Sequence, residues 1–147
     1  AYNTQLSNAL GHCLDVTGGS TMLTYCTLAQ FYPWTANYGS ALRLSNKDVR
    51  GEVVPLAQAH FHQCVMTGYA VDVIEGNLSD PDNSVNYLFD ACWLKTPAAE
   101  QSETRFSACT YQEASDDITK RFVKFNTPAF LYDFHLQSAE AVPYGIR

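Results

Sequence analysis

Between Thr4 and Val16 the apolar residues Leu6, Ala9, Leu10, Cys13 and Leu14 recur at three- and four-residue intervals. That spacing keeps side chains on one face of a helix, and Gly18-Gly19 follows as a stop. The next stretch, 22–38, is rich in Thr, Tyr and Phe and is broken at Pro33. Its run Phe31-Tyr32-Pro33-Trp34 reads as an aromatic plug at the edge of the core. Ser45 and Asp48 then resemble a capping box. After them Val49, Val53, Leu56, Ala57, His60/Phe61 and Cys64/Val65 carry a helical rhythm, with a kink or restart at Pro55 and a stop at Gly68.

From Tyr69 the period changes to two. Tyr69, Val71 and Val73 alternate with Ala70, Asp72 and Ile74, and Val85, Tyr87, Phe89 and Trp93 share one face of a longer strand. Phe106 with Ala108, then Phe122 with Val123 and Phe125, and finally Phe130, Tyr132, Phe134 and Leu136 mark three more. Between them lie Asn/Asp/Pro/Ser-rich turns around 77–83, 96–99, 114–117 and 126–128. The pattern predicts an α+β fold in which N-terminal helical segments, about 4–67, pack on an antiparallel meander of about five strands, about 69–137. No internal repeat or linker-like stretch is evident, so 1–147 reads as one domain.

Composition narrows the function. Hydrophobic residues make up 46% and charged residues 16%, with eight Phe, nine Tyr and two Trp, so some rings are expected at the surface as contact residues. The net charge is −6 and the basic residues are scattered, against the basic stripe of a nucleic-acid binder. No apolar run approaches the ~18 residues of a membrane span. The opening Ala1-Tyr2-Asn3 looks like the start of a mature chain after signal-peptide removal. Asn77-Leu78-Ser79 is a glycosylation sequon. Together these predict a secreted or cell-surface glycoprotein.

Five cysteines fit an oxidising compartment. Cys92 and Cys109 fall on neighbouring predicted strands, and Cys13 and Cys26 enclose the Gly-Gly turn, so Cys13–Cys26 and Cys92–Cys109 are the expected disulfides. Cys64 is left as a buried thiol or an intermolecular bridge.

Two clusters are candidates for chemistry. In His60-Phe61-His62-Gln63-Cys64 a strand would put His60, His62 and Cys64 on one face, as a chelate needs. A helix would diverge the two imidazoles by roughly 200° and leave only His60 and Cys64 stacked. Ala57, Gln58 and Ala59 favour a helix, so no metal site and no cofactor are expected. On the last strand Asp133 and His135 share the face opposite the aromatics, the minimal kit for acid/base work. Motifs for a serine nucleophile, a phosphate loop or a zinc protease are absent.

Two function classes follow. One is an extracellular structural or recognition subunit acting through protein–protein contacts, self-assembly included. The other is a pocketed domain that binds a small ligand and turns it over, without a metal, through Asp133 and His135.

Overall fold

The computed structural model describes residues 1–35, 37–80, 84–97, 104–137 and Gly145. Among the described residues, fourteen strands and one short 3-10 turn (Ile118–Arg121) make up the regular elements, and no α-helical segment lies wholly within them. The predicted helices on an antiparallel meander are therefore not what the chain builds. It winds as a parallel β-helix.

Each coil contributes one strand to each of up to three sheets. Sheet A stacks β3 (Gly19–Thr24), β6 (Leu56–His62), β9 (Val85–Asp90) and β11 (Phe106–Ser107). Sheet B stacks β1 (Gln5–Ser7), β4 (Thr27–Gln30), β7 (Val65–Gly68), β10 (Trp93–Leu94) and β12 (Thr110–Tyr111). Sheet C stacks β2 (Leu14–Thr17), β5 (Leu42–Ser45) and β8 (Ile74–Asn77). Every pairing within these sheets is parallel. Among the described residues, antiparallel pairing between strands is confined to the hairpin of β13 (Phe122–Asn126) and β14 (Leu131–Leu136).

The passage from sheet A to sheet B is the same in every coil. Two residues make the corner: Tyr25-Cys26, Gln63-Cys64, Ala91-Cys92 and Ala108-Cys109. The first of each pair is left-handed, with φ of +52°, +50°, +49° and +50°. This conformation is uncommon outside glycine, and the stack holds it by hydrogen bonds. Tyr25 N donates to His62 O (3.1 Å), Gln63 N to Asp90 O (3.0 Å) and Ala91 N to Ser107 O (2.8 Å).

Turning the chain this way aims the cysteine inward, and the strand registers place Cys26, Cys64, Cys92 and Cys109 in one row. Beside it on sheet A runs the row Leu23, Phe61, Phe89 and Phe106. The Phe61–Phe89 and Phe89–Phe106 rings stack at 4.9 and 4.8 Å, within 14° of parallel. Leu28, Met66 and Leu94 from sheet B and Leu42 and Leu44 from sheet C close the interior.

The outer faces differ. Sheet B is covered by the β13–β14 hairpin, whose Phe122 and Phe134 pack with Ile118 on Ala29, Phe31, Val65 and Trp93, so β4 and β7 are buried along their whole length. Sheet C carries a charge row in which Arg43 binds Asp15 at 2.8 Å and faces Glu75 at 3.7 Å. Sheet A has no such cover among the described residues.

The helical stripe over 45–65 failed for a physical reason. Val49 and Val53, two of its apolar positions, lie in a loop and are 103% and 52% exposed. Further on, Ala59 and Phe61 point into the interior while His60 and His62 point out, the two-residue alternation of a strand. Gly68 is no helix stop. It pairs with Gln30 of the coil before, whose carbonyl oxygen would lie 2.5 Å from an added Cβ. Gly18 and Gly19 (φ +63° and +71°) turn the chain from sheet C to sheet A. The part of the predicted turn at 96–99 beyond Pro97, and 81–83 of the turn before it, lie outside the described residues.

Substituting Phe89→Ala would remove the ring held between two others. The expected loss is about 3–5 kcal/mol in denaturant unfolding, and a loss below about 1 kcal/mol would contradict the stacking as a main support.

Candidate functional site

The open face of sheet A is built by strand alternation. The register sets Thr24, His62, Asp90 and Ser107 in one outward row, and Met22, His60 and Leu88 in the next. His62 Nδ1 lies 2.8 Å from Asp90 Oδ2, and both side chains are about one third exposed (38% and 33%). The Tyr25 ring meets His62 edge-on at 6.3 Å, and His60 and His62 have centroids 6.4 Å apart. His60 Nε2 is buried and has no hydrogen-bond partner among the described residues.

The strand thus brings the two imidazoles onto one face, where the helix reading had separated them. It separates His60 from Cys64, because the corner at Gln63 turns Cys64 into the core. Among the described residues no three His, Cys, Asp or Glu side chains converge as a metal-binding group.

All five cysteines are free thiols, which overturns the predicted disulfides. Cys13 is not beside Cys26. It lies against the backbone of Asn8, Ala9 and Ala29, where burial pushes its thiol up to about 11. The in-register neighbour of Cys26 is Cys64, and Cys92 lies between Cys64 and Cys109. Each thiol of the row donates to backbone carbonyls, Cys64 to Leu23 O and His62 O and Cys109 to Phe89 O and Ser107 O. The neighbouring thiols, and then burial, push Cys26 and Cys92 up. Cys64 and Cys109 are pulled down by their thiol neighbours, against burial. Cys64 is fully buried, so it is not placed to bridge to another chain.

The Asp133–His135 pair forms as expected on β14, with Nδ1 and Oδ1 2.6 Å apart. The His135 backbone N–H and then its ring hold the Asp133 carboxyl below the usual range. Both side chains face solvent on the hairpin, and neither lines a described cavity. Asn77 is exposed at the end of β8, and the Ser79 of its sequon is clamped by buried Asn46, whose side chain accepts from Ser79 N and donates to Ser79 O.

Two features were not singled out as sites from sequence. The first is a surface cluster of rings. Trp34, 66% exposed, lies 4.4 Å from Phe130, 43% exposed, with Tyr32 at 6.1 Å from Trp34 and Tyr132 at 6.2 Å from Phe130. Only Phe31 of the supposed core plug is buried. The second is a cavity of about 420 Å³ lined by Val71, Lys95, Gln112, Glu113 and Asp116, among others. Lys95 Nζ donates to Gly68 O at 2.7 Å, and burial lowers its pKa.

No protein-family model matches the chain, and no curated protein or solved structure matches it significantly. The functional reading therefore rests on these surfaces.

Thiol accessibility gives a direct check. Under native conditions an aromatic disulfide reagent should titrate about one thiol per chain rapidly, Cys109, since reactivity needs both thiolate character and access. Cys26, Cys64 and Cys92 should react only on unfolding. Rapid native titration of the whole set would contradict the inward row.

Proposed function

We propose that the chain is a recognition subunit that works through protein–protein contact, first of all with a second copy of itself. The carrying observation is the Trp34–Phe130 cluster. Large exposed rings held against one another are the residue type that dominates binding energy at interfaces. The stack of coils carries Trp34 in the segment that follows β4, and the hairpin turn carries Phe130, so the two rings already lie together before any contact.

The secreted or cell-surface setting is part of this proposal. With the five thiols unpaired it no longer draws on disulfides, and the Asn77 sequon is its main support. A small ligand in the 420 Å³ cavity beside Lys95 is a second reading, favoured by that partly buried ammonium. Acid/base work by Asp133 and His135 has less support, because the pair stands on an open surface.

Light scattering tests the first reading. The native chain should run well above its 16.3 kDa monomer mass, and Trp34→Ala with Phe130→Ala should return it to monomer. Reductant should leave the size unchanged, because every cysteine is already a thiol. A wild-type monomer at all concentrations would refute self-association.

A further inference from the structure

The exposed face of sheet A holds two imidazoles, and their chemistry is unused by the reading above. His62 is bound through Nδ1 to Asp90 at 2.8 Å. When that nitrogen carries the proton, the lone pair is on Nε2, facing away from the carboxylate. A carboxylate on the far nitrogen of a histidine is the arrangement that orients metal-ligating imidazoles and raises their basicity.

His60, two residues earlier on the same strand, projects from the same face. Its Nε2 is buried without a partner among the described residues, an unfavourable state for a polar atom. Turning the ring outward therefore sacrifices no hydrogen bond and gains a ligand. Two imidazoles sharing one tetrahedral ion at about 2.0–2.1 Å per nitrogen have centroids roughly 5 Å apart. The observed 6.4 Å lies within a side-chain rotation of that. Met22 and Leu88 flank His60 in register and give the site an apolar border.

We infer that His60 and His62 are the two protein ligands of an open site for a divalent zinc-class ion on the outer face of sheet A, with Asp90 as the positioning residue behind His62. Water fills the other coordination positions, in keeping with the absence of a third His, Cys, Asp or Glu among the described residues. The thiol row takes no part, because it faces the interior on the other side of the sheet.

Zinc chloride titrated calorimetrically into the full chain tests this. One ion per chain should bind to the wild type and to Cys109→Ser alike. His60→Ala and His62→Ala should each lose at least about tenfold in affinity, and Asp90→Asn about 10–100-fold. In parallel, the ring-nitrogen NMR signals of wild-type His60 and His62 should move on zinc addition while those of His12 and His135 stay. The inference is overturned by three results: no binding at millimolar zinc, binding indifferent to both histidine substitutions, or shifts confined to His12 and His135. Full affinity in Asp90→Asn would remove Asp90 from its role.

Discussion

Everything in this molecule hangs on one two-residue corner. A left-handed residue followed by an inward cysteine turns each coil from sheet A into sheet B, and the carbonyl of the neighbouring coil accepts the hydrogen bond that holds the turn. Tyr25, Gln63 and Ala91 are not glycine, so the isolated corner is disfavoured. Stacking makes it tolerable, because these three corners are each fixed by the next coil. Once the corners coincide, the cysteines, the phenylalanines and the sheet registers must coincide too.

The three outer faces then set what the surface can do. A parallel sheet normally needs cover on both sides. Here sheet B gets it from a hairpin whose aromatic underside, Phe122 and Phe134, packs on Phe31. Sheet C substitutes an alternating row of charges. Sheet A has neither among the described residues, which leaves the His62–Asp90 pair part-exposed with His60 beside it. The rings that do not fit under the hairpin, Trp34 and Phe130, gather at its tip. Covered, charged and open faces thus divide structural support from contact chemistry.

Part of this was readable in the residues. The last two strands and the Asp133–His135 face follow from the alternation of Phe130, Tyr132, Phe134 and Leu136. The helices were misread because coil strands are short. Four residues such as Thr27–Gln30, buried on both faces, show neither period, and loop residues such as Val49 completed a stripe by accident. The informative signal was elsewhere. Leu23-Thr24-Tyr25-Cys26-Thr27-Leu28, Phe61-His62-Gln63-Cys64-Val65-Met66, Phe89-Asp90-Ala91-Cys92-Trp93-Leu94 and Phe106-Ser107-Ala108-Cys109-Thr110-Tyr111 are one repeated unit. Its copies are unevenly spaced because the other corners carry loops of different length, so a search for a fixed period passes over them. The zinc-class pair was equally present in the letters, and only the choice between period two and period 3.6 hid it.

The serial order of the coils has a consequence for how the molecule comes apart. Each strand of a sheet pairs only with the strands before and after it, so the stack behaves as a short one-dimensional chain of units. Opening of a terminal coil leaves the rest of the ladder paired, whereas opening of the coil built from β5, β6 and β7 breaks hydrogen bonds on both sides at once. Amide protection in such an object is graded rather than uniform, deepest around Phe61 and Met66 and shallower toward either end. The surface loops inherit that gradient, and a contact made beside the central coil is made on the stiffest part of the molecule.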